Sequence, residues 1–320
     1  MATTGWFARR TFHHERFADL GALVERKAEQ DVTISACIPA LNEQDTLGPI
    51  VRETREALVE RHALLDEIVV VDSLSEDDTA RIAEGEGALV VQDSEILPGL
   101  ETAAGKGEAM WKSLFVMRGD LIVWLDADIE NFHSRFVYGP LGPLLEDPEI
   151  AYVKAFYRRP VKRGEELVPG EGGRVTELMA RPLLNMFWPE LAGLMQPLSG
   201  EYAGRRSVLE RIPFFTGYGV EIGMLIDAAH EVGVDAIAQV DLEQRVHRNR
   251  PLNELTSMSS AILQAALRRL ASQGRIVLPE ELATTLTQIE PTETGYEMAT
   301  TEVRVHERPP ANTIPEYASS

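Results

Sequence analysis

The sequence predicts an α/β protein built on a doubly wound sheet, and three observations carry that reading. Short apolar runs alternate with amphipathic segments between Val32 and Asp128. One of these runs, Leu121-Ile122-Val123-Trp124-Leu125, is apolar throughout, the pattern of a strand covered on both faces in a parallel sheet. The runs also end in polar groups, notably Asp126-Ala127-Asp128. Open α/β sheets bind their ligands outside such carboxyl ends.

Taken in order, residues 1–30 form an extension before the first strand, residues 32–39. Pro39 ends that strand because it has no N–H for the ladder. Asn42 is expected to cap the next helix, with Glu43 and Asp45 in its positive first turn. That helix buries Leu47, Ile50, Val51, Thr54 and Leu58 at helical spacing. A second strand covers residues 67–73, and Ser75 with Glu76, Asp77 and Asp78 opens a second helix. A third strand spans residues 88–92, followed by a glycine-rich loop, a helix near residues 107–117 and the strand that ends in Asp126-Ala127-Asp128.

Further on, residues 163–173 are rich in glycine and acid and read as a mobile loop. A helix over residues 253–270 carries Leu255, Met258, Ile262, Leu263, Ala266 and Leu270 on one face, which packs on a core or a second subunit. From about Pro291 the chain is rich in Thr, Glu and Pro without an apolar period, so residues 291–320 read as a flexible tail or one laid over a neighbour.

Composition sets limits on function. The 320 residues are 44% hydrophobic, enough for a substantial core. The formal charge of −20 argues against a nucleic-acid partner, and means that an anionic substrate needs a local basic pocket. Cys37 is the single cysteine, excludes an intrachain disulfide and reads as a small core residue in its apolar strand. No apolar stretch approaches the roughly 20 residues of a membrane span. A cytoplasmic location without membrane partners is the expectation.

The chemistry-bearing residues are few. Asp126 and Asp128 are hard oxygen donors suited to Mg²⁺ or Mn²⁺, which bridge carboxylates and substrate phosphates. Lys106 lies between Gly105 and Gly107 before a helix, where backbone and a point charge can approach phosphate; the spacing is not that of a P-loop. Gly173, Arg174 and Thr176 begin a helix, whose unpaired N–H groups and partial positive charge favour phosphate. Glu221 follows two glycines that flank Tyr218, a sign of close backbone approach to a ligand. Each has an ordinary structural alternative: a turn, a cap or a solvated carboxylate.

In combination these segments resemble a known group. Ile38-Pro39-Ala40-Leu41-Asn42-Glu43, Val70-Val71-Asp72-Ser73, Gly105-Lys106-Gly107 and Asp126-Ala127-Asp128 follow the order of the GT-A nucleotide-sugar glycosyltransferases. Gly173 to Leu178, Pro197-Leu198-Ser199-Gly200-Glu201, Gly217-Tyr218-Gly219-Val220-Glu221 and Val246-His247-Arg248-Asn249 are similar to the retaining family 81 enzymes, the glucosyl- and mannosyl-3-phosphoglycerate synthases.

The resemblance implies a GT-A-type mixed sheet, with donor binding in residues 31–160 and a mainly helical acceptor part in residues 161–290. It implies a homodimeric, metal-dependent retaining transferase that moves an α-hexosyl group, mannose from GDP-mannose for preference, to the 2-hydroxyl of 3-phospho-D-glycerate. Glucose from UDP- or GDP-glucose is the alternative. Pro39, Ala40, Leu41, Glu43, Ser73, Lys106, Asp126 and Ala127 would bind the donor. Gly173, Arg174, Thr176 and Asn249 would bind the acceptor, and Asp128 and His247 would hold Mg²⁺ or Mn²⁺. Glu221, Asp128 and Lys106 would serve catalysis. A polyprenyl-phosphate sugar transferase shares the first four motifs but not the Gly173–Thr176 segment. A nucleotidyltransferase would carry a glycine- and arginine-rich loop where this chain has Pro39 to Glu43. A non-catalytic nucleotide-sugar sensor is separated from an enzyme by turnover.

Overall fold

Eight strands pair into one sheet in a computed structural model of the chain. They are β1 (Thr11–His13), β2 (Ile34–Ala40), β3 (Glu67–Asp72), β4 (Leu89–Gln92), β5 (Leu121–Trp124), β6 (Tyr152–Arg158), β7 (Tyr202–Arg205) and β8 (Ile237–Gln244). The structure describes all residues except 1, 102, 104, 164–165, 169–172, 247–251, 281 and 320, and omits the side chains of 2–4, 161–163, 166–168, 252–253 and 318–319. The spatial order is β1-β8-β6-β7-β5-β2-β3-β4. β7 runs antiparallel to both β5 and β6, and the other pairings are parallel. This is the mixed, doubly wound GT-A-type sheet that the sequence predicts.

The apolar run of β5 explains the centre of the fold. All four of its residues are fully buried. Ile122 and Trp124 enter one apolar layer with Cys37, Phe214 and Leu225, while Leu121 and Val123 enter the other with Ile38, Ile50 and Leu141. Alternate side chains of a strand point to opposite faces, so one strand serves both layers. The sheet draws on every part of the chain. β1 comes from the N-terminal extension, and β7 and β8 come from the stretch expected to be mainly helical.

Two local expectations are corrected. Asn42 does not cap the first of the two helices, which begins at Leu47 after Thr46. It takes φ 55°, a conformation its short amide tolerates, and its Oδ1 accepts from the Glu76 N–H at 2.8 Å, tying the β2 and β3 loops together. The second helix begins only at Thr79, whose N–H donates to Asp77 Oδ1 at 3.0 Å.

The end of the chain is not irregular. Thr285–Thr292 and Gly295–Glu302 form an antiparallel ribbon, whose polar alternation shows no apolar period because little of it is buried. The chain then returns over its own core. Glu307–Arg308 pairs with Phe214–Phe215, Val305 and Ala311 are buried, and Trp111 Nε1 donates to the Pro309 carbonyl at 2.8 Å. Of the expected loop over residues 163–173, residues 164–165 and 169–172 lie outside the described residues; Arg163 and Glu166–Val168 are strand instead, in an antiparallel pair of Val161–Arg163 with Glu166–Val168. No helix among the described residues is long and apolar enough to cross a membrane.

Candidate active site

A cavity of about 500 Å³ opens where β2, β3 and β5 end. Pro39, Ala40, Leu41 and Glu43 line it from the first strand, Ser73 from the second, and Asp126, Ala127 and Asp128 from the third. The Ser73 N–H donates to the Ala40 carbonyl at 2.9 Å, so the first two strand ends are fastened to each other. Gly173, Arg174 and Thr176 also border the cavity, at the start of helical turns that continue through Thr176–Ala180 into Arg181–Phe187. Every sequence-predicted site residue that the structure describes is therefore brought to one place. His247 and Asn249, with Arg248, lie outside the described residues.

Two glycines explain how the charged centre closes. Gly105 has φ 105°, and a Cβ there would stand 2.8 Å from Gly217 Cα. The two backbones touch, which brings the Gly217-Tyr218-Gly219-Val220-Glu221 turn against Lys106. Lys106 Nζ then lies 3.1 Å from Glu221 Oε1 and pairs with Asp126. A Cβ on Gly200 would fall 1.9 Å from Asp126 Oδ2, so only glycine leaves room for that carboxylate.

Arg245, just past β8, is the hub that the sequence reading did not single out. Its Nη1 donates to Asp126 Oδ2 at 2.8 Å and to the Tyr157 hydroxyl at 2.9 Å, and lies 3.0 Å from Glu201 Oε1. Its Nη2 donates to Asp128 Oδ1 at 2.5 Å. Tyr157 in turn donates to Glu201 Oε2. A signal existed: Arg245 follows a strand that ends at the same sheet edge as Asp126. Glu201 stood in a family-like segment without a role. Arg159, Met258 and Ile262 also line the cavity, so part of the apolar face expected to pack on a core or subunit borders this space instead.

The protonation states follow from these pairs. Burial disfavours charge on Lys106, but the Asp126 and Glu221 carboxylates outweigh it and hold its pKa above the ordinary lysine value. Burial also opposes the charge of Asp126, yet Lys106 and Arg245 keep its carboxyl well below the usual range. Lys154 is different. Buried beneath the network, it is brought down to about 7, with Glu221 opposing and Lys106 reinforcing the fall. It donates to the Ser199 carbonyl at 2.6 Å and lies 4.1 Å from the Tyr202 ring centre. The cavity that Asp126, Asp128 and Glu221 line is also lined by Lys106, Arg159, Arg174 and Arg245, while burial raises the pKa of the Glu201 carboxyl although Arg245 opposes the rise. The hard oxygens of Asp126 and Asp128, side by side at the strand end, fit a divalent cation of the Mg²⁺ or Mn²⁺ type.

Known proteins share this arrangement of sequence. A family model described as glycosyl transferase family 2 matches residues 35–212. The glucosyl-3-phosphoglycerate synthase of Petrotoga mobilis is 50% identical over 309 residues, covering 97% of this chain and 95% of the relative. The chain belongs to the family of the 3-phosphoglycerate glycosyltransferases. The glucosyl-3-phosphoglycerate synthase of Mycobacterium tuberculosis is 47% identical over 78% of this chain and 76% of its own length. Among solved structures, mannosyl-3-phosphoglycerate synthase from Rubrobacter xylanophilus matches with a TM-score of 0.89 and 43% identity, over 98% of both chains. The Mycobacterium tuberculosis glucosyl enzyme, solved with Mn²⁺, UDP and phosphoglyceric acid, matches with a TM-score of 0.81 and 42% identity, over 92% of this chain and 94% of that one. The family resemblance carried by the motifs is borne out, and the protein is a glycosyltransferase.

Proposed function

We propose that this protein transfers an α-hexosyl group from a nucleoside diphosphate sugar to the 2-hydroxyl of 3-phospho-D-glycerate, with retention at the anomeric carbon. The observation that carries this reading is one cavity shared by two unlike regions. The strand ends from Pro39 to Asp128 and the helix start at Gly173, Arg174 and Thr176 line one space; we read the first as the diphosphate and metal region and the second as the region for the acceptor's anion. Relatives support it: the Mycobacterium tuberculosis enzyme was solved with UDP, Mn²⁺ and phosphoglyceric acid, and also with Mg²⁺ and UDP.

Asp128 and His247 would hold Mg²⁺ or Mn²⁺, with Asp126 close by. Such an ion, when bound, neutralises charge on the departing nucleoside diphosphate. The protein's own residues do the rest. Lys106 keeps its charge between Asp126 and Glu221 and offers a fixed positive group beside the donor. Glu221 would accept from donor hydroxyls. Arg245 fixes the directions of Asp126 and Asp128, so their carboxylates are set before substrate enters. Arg174 and Thr176 would seize the acceptor phosphate, and Asn249 its carboxylate.

Because Glu221 is paired with Lys106, a dedicated carboxylate nucleophile is not assigned. Attack comes from the face that the leaving group vacates. The acceptor oxygen bonds to the anomeric carbon, the bond to the diphosphate oxygen breaks, and the acceptor proton passes to that phosphate oxygen. Incubation with donor, 3-phosphoglycerate and Mg²⁺ tests the reading: it requires free nucleoside diphosphate and a phosphorylated glycoside in equal amounts.

The sugar is where the relatives divide. The 50% identical relative is named for glucose, and on that observation we read the donor as a nucleoside diphosphate glucose. Mannose, the preference drawn from the overall family likeness, stands as the second reading on the 0.89 TM-score of the mannosyl enzyme. Competing GDP-mannose, GDP-glucose and UDP-glucose at equal concentration decides between them.

A further inference from the structure

A second cluster of metal-ligand chemistry lies outside the cavity, at the sheet edge. β1 pairs in parallel with β8, placing His13 opposite Asp241. The register of β8 shifts between Asp241 and Gln244, and there Glu243 takes φ 68°, a left-handed conformation unusual for its type. That turn sets its carboxylate beside two imidazoles. His13, His14 and Glu243 each bring a ligand atom to within 4.8 Å of the others.

The central ligand is His14. It is 8% exposed, and its Nδ1 is held by the Tyr138 hydroxyl at 3.1 Å. Its Nε2 is buried without a hydrogen-bond partner and aims at Glu243 Oε1, 3.6 Å away. A buried polar atom without a partner is costly and calls for an occupant. Metal-bound imidazoles have this arrangement: one nitrogen anchored by a neighbouring hydrogen bond and the other turned to the ion. Ligand atoms ~2.1 Å from a tetrahedral zinc stand ~3.4 Å apart, close to the His14–Glu243 separation. Arg135 Nη1, 3.6 Å from Glu243 Oε2, leaves the other carboxylate oxygen to the ligand set.

We propose that His13, His14 and Glu243 form a binding site for a divalent transition metal of the zinc class, with water completing the coordination. Two imidazoles and one carboxylate suit such an ion and not Mg²⁺, which favours oxygen alone. None of the three residues lines the sugar-transfer cavity. The ion would fasten the edge strand β1 to the strand that leads into Arg245.

The test titrates Zn²⁺ calorimetrically into the full chain, stripped by a chelator and returned to excess Mg²⁺. One magnesium-resistant zinc per chain is expected, weakened more than about tenfold in both His13→Gln and Glu243→Gln and unchanged in Asp128→Asn. His13 is partly exposed, so its replacement spares the core if the Glu243 variant fails to fold. Absence of such a zinc, equal affinity in His13→Gln, or its loss in Asp128→Asn would each overturn the proposal.

Discussion

Arg245 Nη2 stands 2.5 Å from Asp128 Oδ1, although 117 positions separate the two residues in the chain. The same guanidinium reaches Asp126 and Glu201, so one buried fork holds three carboxylates. Removing it strands Glu201, which has no exposure at all. Breaking one partner of a buried ion pair costs about 3–5 kcal/mol. Arg245→Met should lose stability of that order in urea denaturation, with most of the turnover. Arg245→Lys keeps the charge but cannot span Asp126 and Asp128 at once, and should recover stability better than activity. Wild-type turnover in either variant would show that the fork does not set the carboxylates.

Asp128 keeps a quarter of its side-chain exposure, and Arg245 retains Asp126 and Glu201 without it. Asp128→Ala should therefore fold normally while losing most turnover and its calorimetric response to Mg²⁺ or Mn²⁺. His247→Ala should do the same. Near-normal rates at saturating Mg²⁺ in either variant would remove that residue from the ligand set.

The sheet was legible because burial on both faces imposes an unbroken apolar run, and the Leu121 to Leu125 segment has one. The convergence of the proposed donor region was legible for a related reason: parallel strands deliver their last residues to one edge, so Pro39, Ser73 and Asp128 had to meet. Arg245 and Glu201 were harder to find. β7 enters between β5 and β6 in the opposite direction, and β8 reaches the site by a long-range crossover. A lone arginine after a strand carries no local pattern that announces such partners. The C-terminal ribbon escaped because none of its residues is buried, so no core selects its pattern, and its large apolar side chains Ile289, Tyr296 and Met298 are exposed.

Lys154 offers a pH test that leaves catalysis aside. Its ordinary pKa of 10.5 falls to about 7 in the fold because burial disfavours its charge. Between those values the unfolded chain holds the proton and the native chain does not. Stability contributed by this residue must therefore rise with pH across that window, while the full penalty of burying the charge applies below about 7. Lys154→Met removes the titration and still covers the Tyr202 ring. The unfolding free energy of the parent minus that of the variant should climb by about 1.4 kcal/mol per pH unit from about pH 7 towards 10. Parallel pH profiles would mean that Lys154 stays charged throughout.

A dimer of this chain is expected to form through the ribbon. Ile289 and Met298 are cross-strand partners, 70% and 77% exposed, and Tyr296 next to them is 81% exposed. The helix over Leu252–Ser272, by contrast, spends Ile262, Ala266 and Leu270 on its own core. An apolar ribbon face is stable when it pairs with its copy across a two-fold axis, the commonest closed symmetry. Sedimentation at micromolar protein should give twice the 35.5 kDa chain mass, reduced to one chain by Met298→Lys. A single 35.5 kDa species for the parent would end this assignment.

Arg174 tests the proposed division of the pocket between acceptor and donor. It opens the helical turns beside buried Thr176 and borders the same cavity as Lys106 and Asp126. Losing a charge-assisted contact to a phosphate should cost about 2–5 kcal/mol of transition-state binding, more than tenfold in rate. Arg174→Ala should raise the apparent KM for 3-phosphoglycerate strongly. Donor affinity, measured calorimetrically without acceptor, should hardly move, because Lys106 and the Asp126 to Asp128 segment remain. D-Glycerate lacks the phosphate, so it should be a poor acceptor for the parent and lose little more on mutation. Weakened donor binding with an unchanged acceptor KM would assign this helix start to the other substrate.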